Sequence, residues 1–301
     1  MTGRAPKVTI AIPFHDNART LRDAIVSVLN QSFADWELIL VDDGSTDGSR
    51  AVAEEFRGDR ILVRSDGENR GLVARLNEIV SLASGAYLAR MDGDDVMHPH
   101  RIERQVAVLD ERPEVDVVDT AMYSIDDDGR IRGERGRSES GKITLEALLQ
   151  GRVLNHATVM GRVEWFLAHP YDPAFYRAED RELWCRTVET SVFAHIEEPL
   201  YYVREGQISV RNYRAAQATV RRIYAIYARR ALGGRRALAL VAKSLAKEWA
   251  YVLAGWLGLQ AGLTGLRNVG VGPEHADEAE SMLRRATRLP DGRAVDLPGL
   301  P

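Results

Sequence analysis

Along the first third of the chain, short apolar runs alternate with stretches of helical period. Four runs read as strands: Lys7 to Ile12, Glu37 to Val41, Arg60 to Arg64 and Ala86 to Met91. Between the first two, Leu21, Ala24, Ile25, Val28 and Leu29 recur at i, i+3, i+4, i+7 and i+8, which is one face of a helix. A second helix carries Leu72, Leu76, Ile79, Val80 and Ala83. A third starts near Pro99 and uses Ile102, Val106 and Leu109, with proline in the first turn, where its missing N–H costs nothing. This order predicts β-α-β units and a largely parallel α/β sheet flanked by helices. Past Glu114 the alternation degrades into short mixed elements, so one interrupted sheet is expected rather than a second regular domain.

Polar punctuation falls where the strands end. In open α/β sheets ligands bind beyond the carboxyl ends of the strands, and three acidic clusters lie there: Asp42-Asp43-Gly44-Ser45, the loop Asp66 to Gly71, and Asp92-Gly93-Asp94-Asp95. They are expected to converge on one site.

The last cluster sets three carboxylates within four residues. At about 4 Å each pair costs roughly 1 kcal/mol in water and roughly 4 at an effective dielectric of about 20, so a positive partner is needed. No Lys or Arg lies between Asp92 and His100. Hard carboxylate oxygens select Mg²⁺ or Mn²⁺, and such an ion fills its shell with substrate phosphates. The alternative is an acidic turn that caps the helix near Pro99. In VDDGSTDGS, Ser45 to Asp47 suit N-caps, whereas Asp42 and Asp43 precede the turn, and one of them suits a base N–H. IPFHDNA stands where a dinucleotide-binding G-x-G-x-x-G would follow the first strand, and no phosphate-binding G-x-x-x-x-G-K-[ST] occurs. Further along, Glu179 and Asp180 open a helix carrying Leu183, Trp184, Thr187 and Val188. Acids at a helix start are structurally ordinary; a carboxylate near a metal-bound diphosphate is also placed to act as a general base.

Composition adds two points. The single cysteine, Cys185, excludes an internal disulfide, and MTGRAPK leads directly into a strand, so the cytoplasm is the expected compartment. The net charge of −4 is unevenly spread: residues 211–272 hold eleven Lys and Arg against one acid, Glu248, for +10, and residues 273–301 sum to −2, which leaves −12 on residues 1–210.

Five stretches together resemble glycosyltransferase family 2, with its nucleotide-sugar GT-A fold: VTIAIPFHDNARTLRDAIVSVLNQSFADWELILVDDGSTDGS (8–49), ENRGLVARLNEIVSLASGAYLARMDGDDVMHPHRI (68–102), NHATVMGR (155–162), YDPAFYRAEDRELWCR (171–186) and EEPLYYVREGQIS (197–209). The resemblance implies an inverting transferase that uses a nucleotide-diphosphate sugar, Mn²⁺ or Mg²⁺, and one carboxylate base. By position, Pro13 and His15 line the nucleobase, where His15 replaces a common Tyr. Asp43 bonds the base, and Arg70 touches base or phosphate. Asp92 and Asp94 form the D-x-D pair, with Asp94 the direct ligand and Asp92 nearer the ribose. Asp95 contacts the sugar or supports the metal, and Asp180, beside Glu179, is the catalytic base. Where relatives place a metal- or diphosphate-binding His, this chain has Arg204, which cannot ligate a cation but suits the diphosphate itself. His156 fits either a satisfied buried histidine or a residue facing the acceptor.

These readings divide the chain into a GT-A catalytic domain (1–210), a basic helical extension (211–272) and a polar tail (273–301). In the extension Val220, Ile223, Tyr224, Tyr227 and Ala231 share one face, as do Leu238, Val241, Ala242, Leu245, Trp249, Val252, Leu253 and Trp256. Trp249 to Leu266 carry no charge but include four glycines, a weak span. Packing on the body, a homodimer seam, and an anionic membrane surface bound through 214–266 by a peripheral enzyme are the readings left open. The last suits a lipid-linked rather than a free saccharide acceptor in cell-surface polysaccharide or glycolipid synthesis. Nucleic acid is opposed by the −12 body. Two rival functions remain: a sugar-1-phosphate nucleotidyltransferase, which needs a Gly-rich basic loop after the first strand, and a catalytically silent nucleotide-sugar-binding scaffold. Donor and acceptor choice is expected in variable loops such as 126–142.

Overall fold

The computed structural model describes residues 5–137, 143–151, 154–206, 209–257 and 268–289. Residues 138–142 of the loop named above, Gln207 and Ile208 of the last motif, and residues 258–266 of the uncharged stretch lie outside the described residues.

The four expected strands are β1 (Val8–Phe14), β2 (Trp36–Asp42), β3 (Ile61–Ser65) and β4 (Tyr87–Arg90), all parallel, in the order β3-β2-β1-β4. Every residue of β1 is buried, as expected for a strand covered on both faces. On one face lie α1 (Leu21–Leu29), α2 (Ser49–Glu54) and, after the short β5 (Val96–Met97), α4 (Arg101–Glu111). Their Leu21, Ile25, Ala53, Ile102 and Val106 pack on Ile10, Ile12 and Leu40. The other face receives α3 (Leu72–Leu82), where Leu76, Ile79 and Val80 meet Ala11, Ile39 and Val41.

The interruption after Glu114 is a run of mixed pairings. β6 (Val117–Ile125) carries the antiparallel β7 (Ile131–Arg135), and α5 (Leu145–Gln150) follows. β8 (Met160–Arg162) is antiparallel between β4 and β6. After α6 (Val163–Ala168) and α7 (Glu179–Thr187), β9 (Phe193–Arg204) returns parallel to β6 and antiparallel to β5. Among the described residues this makes one nine-stranded sheet.

The helices beyond β9 change the reading of the extension. In α8 (Val210–Ile223) and the π-helical turn after it (Tyr224–Ala228), Val220, Ile223, Tyr224 and Ala228 join the core formed by α5 and α7. Polar ties fix that docking: Tyr227 Oη donates to Glu182 at 2.8 Å, and Arg222 donates to the carbonyl of Ala174 at 2.6 Å. After α9 (Arg229–Leu232), the long α10 (Gly234–Trp256) lies against α8, with Tyr251 stacked on Tyr213 at 4.0 Å and Glu248 held by Arg214 and Arg221. The apolar face of α8 therefore belongs to the body, and the surface expected through 214–266 narrows to α10. No helix among the described residues is long and apolar enough to cross a membrane.

The segment from Pro273, expected to be a polar tail, instead opens with α11 (Pro273–Ala286). Its Ala279, Leu283 and Ala286 pack on Val96, Ile125 and Tyr202, and Asn30 of the α1 C-cap donates to the carbonyl of Ala286 at 2.9 Å. Three core-facing positions spread among six charged ones gave too narrow a stripe for the sequence pattern to weigh.

Candidate active site

Strand register brings the loops together. Phe14 pairs with Asp42 and Asp42 with Ser65, so the chain leaves β1, β2 and β3 at one level, while Ala11 beside Arg90 sets β4 adjacent. Two glycines let the loops touch. Gly44 has φ +72°, and a Cβ there would stand 2.7 Å from the backbone of Glu68 and Asn69. At Gly93 a Cβ would meet Phe14 and Asn17 at 3.0 Å. The first loop is laced to the second: Asp16 N–H donates to Ser45 Oγ (3.1 Å), Asn17 N–H to Ser49 Oγ (2.7 Å) and Ala18 N–H to Asp47 (2.9 Å).

Pro13 is buried within β1, opposite Val41, and His15 is exposed at its end, 3.2 Å from Asn69 of the third loop. Asp43 is buried and heavily bonded: it accepts the N–H groups of Arg70 (2.7 Å) and Gly71 (3.0 Å) at the start of α3, and Nε–H of Arg75 (2.9 Å). Arg70 itself is half-exposed, 3.5 Å from Asp66. The strongest anchor of this loop is Arg75, which the sequence reading did not single out. Wholly buried, it binds Asp43, Asp66 and Glu78 and the carbonyl of Glu68. Its signal was a cation three residues after Leu72 on the buried face of α3.

The carboxylates at the end of β4 differ in their surroundings. Asp92 is half-buried and gripped by Arg90 at 2.5 and 3.2 Å. Asp94 reaches solvent, yet its carboxyl is raised above the ordinary range, first by desolvation and then by the charge of Asp92. Asp95 is buried and raised further by desolvation and by both neighbours; it accepts the backbone N–H of Arg204 at 2.8 Å. Tyr201 Oη accepts the N–H of Asp92 at 3.1 Å. The guanidinium of Arg204 donates to Asp23 of α1 at 2.7 Å, a partner not foreseen, and its buried Nε has none among the described residues.

The last acids arrive from α7. Arg177 just before it holds a left-handed backbone (φ +67°), one of two non-glycine residues with positive φ among those described, the other being Asp16 in the first loop. A strained turn beside each loop is the kind of outlier that clusters at functional sites. Glu179 is buried and Asp180 half-buried at the helix start. Both carboxyls are raised, Glu179 by desolvation and then Asp180, and Asp180 by desolvation. Arg90 opposes the rise in Asp94, Glu179 and Asp180 alike, so one buried guanidinium lies within electrostatic reach of the β4 acids and the α7 acids. Arg90 was also missed; it is a cation inside an otherwise apolar strand, Tyr87-Leu88-Ala89-Arg90. His156 bonds Tyr171 Oη at 2.9 Å and is held well below its ordinary pKa by burial and by Arg90, so it stands neutral and partnered.

Among the described residues no group of three or more His, Cys, Asp or Glu forms a closed metal cage. The open pair does fit a hard dication. Asp92 and Asp94 offer oxygen ligands, and the raised carboxyls mark negative charge that Arg90 and Arg204 leave incompletely balanced.

The parallel quartet, the acid-bearing loops at its carboxyl edge and the antiparallel return define a GT-A glycosyltransferase fold. Solved structures of that class superpose on it: Staphylococcus aureus TarS 1–349 in complex with UDP-GlcNAc (TM-score 0.60, 17% identity, 81% of this chain and 73% of that one) and the mannosyltransferase PcManGT of Pyrobaculum calidifontis in complex with GDP-Man and Mn²⁺ (TM-score 0.57, 18% identity, 94% and 86%). The glycosyl transferase family 2 model matches residues 9–169, and the chain belongs to that family. It is 37% identical over 207 residues to a Bacillus subtilis protein that carries the glycosyltransferase name EpsE, covering 66% of this chain and 73% of that protein. To the Escherichia coli UDP-Glc:alpha-D-GlcNAc-diphosphoundecaprenol beta-1,3-glucosyltransferase WfgD it is 29% identical over 177 residues, 59% of this chain and 68% of that protein. The protein is a glycosyltransferase.

Proposed function

We propose that the protein transfers a sugar from a nucleotide-diphosphate donor to an acceptor hydroxyl with inversion of configuration, in the synthesis of a cell-surface polysaccharide or glycolipid. The observation that carries this reading is the placement of Asp92, Asp94, Glu179 and Asp180 around Arg90. The relatives that act on glycans support the polysaccharide assignment.

The nucleobase lies along Pro13 and His15, with Asp43 and Arg70 at its edge. Asp94 and Asp92 hold Mn²⁺ or Mg²⁺, which when bound screens the charge of the diphosphate and of the departing nucleotide. Arg204 Nε–H, which has no partner among the described residues, is the donor left for a diphosphate oxygen. Asp95 supports the site from beneath by fixing the Arg204 backbone. Asp180 takes the proton from the acceptor hydroxyl as that oxygen attacks the anomeric carbon opposite the diphosphate. Desolvation raises its proton affinity, and the N–H groups at the start of α7 together with Arg90 oppose that rise.

Asp180→Asn tests the assignment: turnover is expected to vanish while donor binding, measured by calorimetry with Mn²⁺, stays within a few-fold. A variant that retains substantial turnover removes Asp180 as base. Donor hydrolysis and transfer by the unmodified enzyme exclude the silent-scaffold reading.

A further inference from the structure

The outward face of α10 is apolar. Leu238, Leu245, Trp249, Leu253, Trp256 and Leu257 are 70, 42, 72, 61, 88 and 62% exposed. Five of them follow at +7, +4, +4 and +3, a continuous stripe on the side opposite Ser244, Tyr251 and Ala254, which α8 covers. Two tryptophans in the open cannot be explained by packing, because the body uses the other face.

Charge decides what covers the stripe. Arg235 and Lys243 are exposed along the same helix, and Arg236 pairs with Glu146 of α5 at 3.3 Å. The one acid of the whole 211–272 segment, Glu248, is already bound to Arg214 and Arg221. A second copy laid stripe to stripe would set Arg235 and Lys243 of both copies near one another, with the one acid of each α10, Glu248, already engaged. An anionic bilayer surface accepts both features: Trp and Leu enter the headgroup boundary, and Arg and Lys meet lipid phosphates.

We propose that α10 is a surface-docking helix that seats this enzyme on an anionic lipid bilayer through Leu238, Leu245, Trp249, Leu253 and Trp256.

The full-length protein is to be floated with phosphatidylcholine vesicles containing about one-third phosphatidylglycerol, and with phosphatidylcholine alone. Binding to the anionic vesicles, weakened by salt and accompanied by a blue shift of tryptophan emission, is expected. Trp249→Gln with Trp256→Gln is expected to lower the partition coefficient by about tenfold or more, and Arg235→Glu with Lys243→Glu to abolish the preference for anionic lipid. Both pairs are exposed, so donor hydrolysis in detergent-free buffer is expected to persist; its loss in the parent protein as well would instead indict the proposed function. Absence of flotation, tryptophan emission already blue without lipid, or a concentration-dependent dimer in sedimentation that dissociates on Trp249→Gln would each overturn the docking proposal. A truncation at residue 210 is no substitute, since it would strip Val220 and Ile223 from the core.

Discussion

Arg90 closes on Asp92 with both terminal nitrogens of its guanidinium, at 2.5 and 3.2 Å, from the last position of a buried strand. Its charge also lowers the proton affinity of Asp180 and Glu179. The base proposed above, Asp180, must be ionised to work, so activity is expected above its pKa and lost as pH falls through it. Removing a nearby positive charge raises that pKa. In Arg90→Met the acid limb of the kcat/KM profile is expected to move toward higher pH by up to about one unit, equivalent to about 1.4 kcal/mol. A limb that stays in place or moves toward lower pH shows that Arg90 does not act on the base.

The sequence pattern yielded the four parallel strands, α1, α3 and α4 to within two residues, because each is long and strongly periodic. What it hid was the work of buried arginines. Arg75, Arg90 and Arg101 are placed by contacts remote in sequence, such as the Arg101 bond to the carbonyl of Val159, 58 residues away, and no local period encodes those. The same limit explains Asp23, which reads as an ordinary first-turn acid of α1 until β9 delivers Arg204 to it. The three acidic loops were legible as a group because all end strands of one parallel set. α11 was not, because its partners lie on β5, β6 and β9, remote in sequence.

Gly44 and Gly48 both have positive φ, at +72° and +98°, but only at Gly44 does a Cβ meet another loop. Alanine at either position carries backbone strain of about 1–3 kcal/mol. Gly44→Ala must also push the Glu68–Asn69 backbone away. Nucleotide affinity is therefore expected to fall in Gly44→Ala well beyond the change in Gly48→Ala, at similar thermal stability of the two. Calorimetry with the nucleoside diphosphate reads the difference, and equal affinities would show that the contact between these loops does not shape the nucleotide site.

Asp94 and Asp92 must be ionised to hold a dication, and the carboxyl of Asp94 is raised, so Mn²⁺ affinity is expected to climb as pH rises from the acid side. Asp94→Ala should cut donor affinity in the presence of Mn²⁺ by at least about tenfold. It should also leave the residual affinity insensitive to chelator. Donor binding indifferent to both chelator and this substitution means that no metal bridges the diphosphate.

Arg75 has no exposed surface, and its bonds tie the end of β2 and the β3 loop to α3. In Arg75→Met, Asp43 stays buried without its cation, while Glu78 keeps Arg64 at 3.4 Å; breaking a buried pair from one side is strongly unfavourable, about 3 kcal/mol here because Asp66 can turn to water. Lysine should restore little, since a single ammonium cannot span three carboxylates. The acid side gives a second readout. Arg75 holds the Asp66 carboxyl below its ordinary 3.8, so its contribution is present above that pH and drains away as pH falls below it. Urea titrations of the parent and Arg75→Met at neutral and at acid pH should therefore differ most at neutral pH and converge toward acid. Equal stabilities at neutral pH, or a gap that widens in acid, would show that this guanidinium is not what fixes the nucleotide side of the cleft.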